Sequence, residues 1–165
     1  MLDIQTILCP TDFSACSEQA FQLACSMARD YGARLIVLHV QPAPIIVYGE
    51  GVVPPEPVEY RSQLKRQLET VQPQEPDIRL EHHLVEGDPA TEILRAARSV
   101  KCGMIVMGTH GRSGLGRVLM GSVAEAVTRK APCPVVTVKA SRPGRTPSKE
   151  SEPAMNEQVI AAASG

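Results

Sequence analysis

The sequence has no tryptophan, and only 3% of its 165 residues are aromatic. A platform of stacked rings for single-stranded nucleic acid is therefore not expected. Charge of either sign is not in excess: 17 Lys and Arg face 18 Asp and Glu, a formal net charge of -1. Nothing in the overall field favours a polyanion, so no nucleic-acid partner is expected. No apolar run approaches the roughly 18 residues of a membrane span. Met1-Leu2-Asp3 has no basic region, and the apolar run that follows is too short for a signal-peptide core. These features predict a soluble, cytoplasmic protein with no membrane partner. The five cysteines (Cys9, Cys16, Cys25, Cys102 and Cys133) are odd in number and form no CxxC pair. That argues against a zinc site or a disulfide framework, and their mostly apolar surroundings mark them as small buried hydrophobes.

With 43% hydrophobic and 21% charged residues, the chain has the balance of a globular protein with a sizeable core. Its length suits one domain, read here as residues 1–140. From Ser141 to Gly165, prolines and serines replace large apolar residues, and a disordered tail is expected. Ile4 to Cys9 reads as a β-run stopped by Pro10. Ala20, Ala24, Met27 and Tyr31 then recur at helical spacing, with Ser14 or Ser17 as the cap and Gly32 just past the end. Arg34 to Val40 is nearly all apolar, as befits a strand buried on both faces. Gln41 to Pro57 holds five prolines and two glycines and reads as a long surface loop. A second helix carries Tyr60, Leu64, Leu68 and Val71, assigned to the core, and ends before Pro73 and Pro76. Ile78, Leu80, His82 and Leu84 alternate with polar residues in a half-exposed strand. Asp88-Pro89 has the form of a cap followed by proline at the first helical position. The helix after it carries Ile93, Leu94, Ala97 and Val100. Met104 to Met107 is the fourth strand. After a glycine-rich loop, a helix is expected from about Arg117 to Lys130, with Leu119, Val123, Ala126 and Val127 on its buried side. Pro132-Cys133-Pro134 leads into a fifth strand, Val135 to Val138.

Strands alternating with helices imply an α/β fold with a doubly wound, five-stranded parallel sheet in a single domain. Ligands of such sheets bind at the carboxyl ends of strands where the strand order reverses. Here that places the loops after the first and fourth strands together: Pro10 to Ser14, and Gly108 onward.

Five of the twelve glycines fall between 108 and 121: Gly108, Gly111, Gly114, Gly116 and Gly121. Glycine lets the backbone approach an oxyanion closely and turn its N–H groups inward, and the following helix adds a positive dipole end. Arg112, Arg117 and Ser122 supply charge and a hydroxyl suited to a triphosphate or another anion. A flexible loop with glycines chosen for turns is the plainer alternative. Two familiar phosphate motifs fail. A Walker A loop needs a lysine, but Ser122 directly follows Gly121. The dinucleotide fingerprint needs a third glycine where Leu119 stands, and it should follow the first strand.

The spacing Gly108-x2-Gly111-x9-Gly121-Ser122 resembles the ATP-binding branch of the universal stress protein family. Ile7-Leu8-Cys9-Pro10-Thr11-Asp12-Phe13-Ser14 is similar to that family's first strand and Asp loop, and Pro132-Cys133-Pro134-Val135 to the approach to its last strand. The likeness spans roughly residues 1–140 and implies a Rossmann-like fold of the adenine nucleotide alpha hydrolase type. It also implies a site. Asp12 would hold the adenine or ribose side, with Pro10 and Thr11 shaping the pocket. Val40 would meet adenine, and Met107 and Gly108 the ribose. His110, Gly111, Arg112, Gly121, Ser122 and Val123 would surround the phosphates, accompanied by Mg²⁺. A homodimer through the last strand (Val135, Val136, Thr137, Val138) is implied too. Each residue has a second reading: Asp12 as a helix cap, His110 as a solvated loop residue, Arg112 as a surface charge, Val40 as core. His39, His82 and His83 lack the companions of a metal site and read as structural.

No nucleophile–base constellation or carboxylate cluster can be argued from the residues. The function expected is an ATP-binding, nucleotide-dependent regulatory switch in the stress response, in which nucleotide orders the 41–57 and glycine loops and changes the surface offered to a protein partner. A slow ATP hydrolase on the same fold and a dimeric interaction module without nucleotide are the alternatives.

Overall fold

The computed structural model describes residues 4–43, 58–109 and 120–139. The elements run β1 (Thr6–Pro10), α1 (Ala15–Tyr31), β2 (Arg34–Gln41), α2 (Val58–Glu69), β3 (Leu80–Glu86), α3 (Pro89–Ser99), β4 (Met104–Gly108), α4 (Ser122–Lys130) and β5 (Val135–Val138). The five strands form one sheet in the order β3-β2-β1-β4-β5, with every pair parallel. The α/β class and the neighbourhood of the first and fourth strands are as the sequence implies.

The sheet is buried on both sides because its strands alternate between two cores. Ile7, Cys9, Leu35, Val37, Met104 and Val106 pack with Ala20, Phe21, Ala24 and Ala28 of α1 and Leu68 of α2. Leu8, Ile36, Leu38, Ile105 and Met107 pack with Ile93, Leu94 and Ala97 of α3 and with Ala124 and Val127 of α4. Many of these side chains are wholly buried, each worth roughly 1.5–3 kcal/mol of hydrophobic transfer.

Local signals set the helix ends. Ser14 caps α1, accepting from the Ser17 amide, and Gly32 closes it at φ 62, where only glycine is unstrained. Asp88 caps α3, with proline in its first turn. The five cysteines are free, and all but Cys133 are buried.

Three assignments change. The last helix begins at Ser122 and not near Arg117, because Gly121 adopts an extended cap conformation (φ -72, ψ 155) and Met120 is a bend. Its buried residues are Ala124 and Val127, while Val123 and Ala126 are half-buried and Leu119 lies outside the described residues. Tyr31 is 52% exposed: the buried stripe of α1 runs through Ser17, Phe21, Ala24 and Ala28, rotated away from it. Tyr60 does not join Leu64 and Leu68 in the core. In a smaller revision, Pro10 ends β1 instead of stopping it before that residue, since the next ladder bond, from the Thr11 amide to the Leu38 carbonyl at 2.8 Å, needs nothing from Pro10. Of the loop expected over Gln41–Pro57, Gln41 is instead the last residue of β2, and residues 44–57 lie outside the described residues, as do most of the glycine loop and the 141–165 tail. Among the described residues no helix is long and apolar enough to cross a membrane.

Candidate functional site

A turn of four residues, Thr11 to Ser14, carries β1 into α1. Thr11 sits under it: its amide binds β2, and its hydroxyl lies 3.1 Å from Ser17 Oγ and accepts from the Phe13 amide at 3.1 Å. Asp12 Oδ1 accepts from the Ser14 amide at 3.1 Å and from the Ser14 hydroxyl at 2.6 Å. These bonds hold Phe13 at φ 62, a conformation that costs a non-glycine residue about 1–2 kcal/mol. Phe13 packs against the His39 ring, 4.4 Å between centroids, and His39 Nδ1 donates to the Thr11 carbonyl at 2.7 Å. His39 is thus a brace for the turn. His82 likewise donates to the Val71 carbonyl at 2.8 Å.

On the other side of the strand reversal, the Thr109 amide donates to the Val138 carbonyl at 2.8 Å, and the Gly121 amide donates to the Thr109 carbonyl at 2.7 Å. The two flanks of the glycine-rich segment are therefore tied together beside β4. Gly121 caps α4 without a side-chain hydrogen bond, so the first-turn amides gain no oxygen from the cap.

Between these turns lies a cavity of about 540 Å³, lined by Pro10, Thr11, Asp12, Val40, Met107, Gly108, Gly121, Ser122 and Val123 among others. Its volume is in the range of small-molecule sites. Every site residue read from the sequence that falls among the described residues is in its wall. His110, Gly111 and Arg112 lie outside the described residues. The sequence reading missed the wall formed by Gln41, Pro42, Tyr60, Leu64, Pro89 and Ile93. Only the apolar stripe of α2, running toward the carboxyl end of the sheet, could have signalled part of it. Asp12 lies in the cavity wall but does not cap α1: Ser14 is the cap, and Asp12 holds Ser14 in place through the Ser14 amide and hydroxyl. Among the described residues no group of three or more His, Cys, Asp or Glu could hold a metal ion. A second cleft of about 650 Å³ lies on the flank of the sheet between α2 and β3, lined by Arg61, Lys65, Glu69 and His82 among others. It lacks the converging turns and helix starts of the first.

The fold and the cavity define a doubly wound α/β protein with a cavity of small-molecule size at the point of strand reversal. Residues 3–139 match the universal stress protein family, and the chain belongs to that family. It is 34% identical over 142 residues to universal stress protein MJ0531 of Methanocaldococcus jannaschii, covering 81% of each chain. It is also 34% identical over 143 residues to a Thermus aquaticus universal stress protein, covering 82% of this chain and 98% of that one. A solved structure from the same family in Burkholderia pseudomallei shares the fold with a TM-score of 0.66 at 31% identity, covering 82% of this chain and 96% of that one. Two more distant structures share the fold at a TM-score of 0.57: an Archaeoglobus fulgidus universal stress protein in complex with dAMP, at 24% identity, and an Arabidopsis thaliana family member with AMP bound, at 23%.

Proposed function

We propose that this chain binds an adenine nucleotide, ATP with Mg²⁺, in the cavity at the β1/β4 reversal, and that it acts as a nucleotide-dependent regulatory protein in the cytoplasmic stress response. One observation carries the reading: the cavity gathers Pro10–Asp12, Val40, Met107–Gly108 and Gly121–Val123 from four separate parts of the chain. The donor set suits such a ligand. The Asp12 carboxylate can accept from sugar hydroxyls or an exocyclic amine. The start of α4 and Ser122 offer N–H and hydroxyl donors to phosphate oxygens. The family members with dAMP and AMP bound support the adenine nucleotide class. Mg²⁺ would neutralise phosphate charge, held chiefly by the phosphates themselves.

Titration of the purified chain with ATP and Mg²⁺, followed by thermal denaturation and calorimetry, tests the proposal. At one hundred times the dissociation constant, bound nucleotide should stabilise the fold by about 2.7 kcal/mol. An unchanged melt and no heat with ATP, ADP or AMP would refute it. We also propose a homodimer through β5. That strand ends the sheet and pairs only with β4 among the described strands, and Val135, Val136, Thr137 and Val138 are each half-buried. Such an edge is stabilised by a covering partner, and a twofold mate supplies one. Light scattering should give twice the 17.8 kDa chain mass; a monomer at micromolar concentration would count against it.

A further inference from the structure

The cavity has two ends of different chemistry. Toward β1, β4 and the first turns of α1 and α4 it carries Asp12, Ser17, Thr109 and Ser122. Toward β2, α2 and α3 it carries Pro42, Leu64, Pro89, Ile93 and Tyr60. Tyr60 stands apart in that second group. Tyr60, Leu64 and Leu68 recur every four residues and so share one face of α2. Leu68 is 1% exposed and Leu64 8%, so that face is turned to the sheet. Tyr60 lies one turn nearer the start of α2, at the carboxyl end of the strands, and is still 39% exposed. The chain has three Tyr and two Phe, and among the described residues Tyr60 is the only one of these rings in the cavity wall. The other large exposed apolar side chains described, Leu23 and Tyr31, belong to α1 and take no part in the cavity.

We propose that Tyr60 is the stacking residue for the base of the ligand and gives the site its preference for purines. This rests on the nucleotide reading above and extends it to base selection. Tyr60 is a half-exposed phenol in the cavity wall, and a base laid on its ring would remove apolar surface of both from water. A purine, with two fused rings, covers more of that face than a pyrimidine does. Stacking uses the ring and not the hydroxyl, so phenylalanine should serve as well.

The test compares the full chain with Tyr60→Ala and Tyr60→Phe. Affinities for ATP and for CTP, each with Mg²⁺, are measured by calorimetry, and melts without nucleotide confirm folding. Tyr60→Ala should weaken ATP by about tenfold and CTP by much less, narrowing the preference between them. Tyr60→Phe should keep the ATP affinity. Because the chain lacks tryptophan, tyrosine emission can be read directly. ATP should quench part of it in the wild type, and that part should vanish in Tyr60→Phe. Should Tyr60→Ala fail to fold, the emission of Tyr60→Phe decides by itself: quenching that persists unchanged overturns the role. Wild-type affinity in Tyr60→Ala, or equal losses for ATP and CTP, overturns it as well. A wild-type chain that binds no adenine nucleotide overturns the nucleotide reading and the stacking role together, whereas binding that ignores Tyr60 overturns the stacking role alone.

Discussion

Gly108 ends β4 opposite Val138, and it has no room for a side chain. A Cβ there would stand 2.8 Å from Cys16 Sγ, 3.2 Å from the Cys16 carbonyl carbon and 3.3 Å from Cys16 Cβ. The sulfur is not free to swing aside without loss, since it donates to the Val138 carbonyl at 3.1 Å. The carbonyl carbon belongs to the first turn of α1 and moves only with that helix. Gly108→Ala should therefore behave as an overpacking substitution, costing about 1–3 kcal/mol. For a chain of this size that lowers the melting temperature by roughly 2–12 °C. Cys16→Ala removes the closest atom but leaves the other two contacts, so the double variant should recover part of the loss. Urea denaturation of the wild type, both single variants and the double variant gives the coupling, expected at about 0.5 kcal/mol or more in favour of the double. A Gly108→Ala chain as stable as the wild type, or strictly additive effects in the cycle, would refute the close-approach argument.

Asp12→Ala, which loses both bonds from Ser14, should cost about 1 kcal/mol in chemical denaturation, while Asp12→Asn keeps an acceptor and most of that stability. At Asp88, the Thr91 hydroxyl and amide hold the carboxyl below its ordinary pKa. Its stabilisation is therefore present at neutral pH and lost as acid protonates it, and Asp88→Asn should flatten the acid limb of the stability curve. Burial pushes the Cys25 thiol up to about 11 and that of Cys102 to about 12. The unfolded chain then releases thiol protons that the folded chain retains, so stability should fall as pH rises from 9.0 toward about 11. A combined Cys25→Ala and Cys102→Ala variant should show a shallower fall over that window.

The fold was legible wherever burial repeats with a simple period. The apolar run from Leu35 to Val40 and the cap–proline pair at Asp88 and Pro89 each have one reasonable structural reading, and the structure adopts it. Errors arose where a residue type fits two environments. Tyr31 and Tyr60 are amphipathic, so spacing alone put Tyr31 on one face with Ala20 and Ala24 and assigned Tyr60 to the core, whereas both stand near the ends of their helices and stay exposed. The start of α4 was hidden because glycine codes equally for loop and cap. Half of the cavity was legible: Asp12 and the glycines stand in the loops at the strand reversal and carry chemistry in their identity, and the family resemblance supplied Val40, Met107 and Val123. The other half was not, because Pro42, Leu64, Pro89 and Ile93 are ordinary apolar residues whose convergence depends on how α2 and α3 lie over the sheet.

β1 lies at the centre of the sheet, between β2 and β4, yet almost a hundred residues separate Leu8 from its partner Ile105. During synthesis on the ribosome the first strand must wait, apolar on both faces, until the fourth emerges. No nascent chain that stops short of α4 can assemble the crevice, because Gly121 to Ala124 form part of its wall. A chaperone holding the early strand through that interval would guard the step at which this topology is most exposed to aggregation.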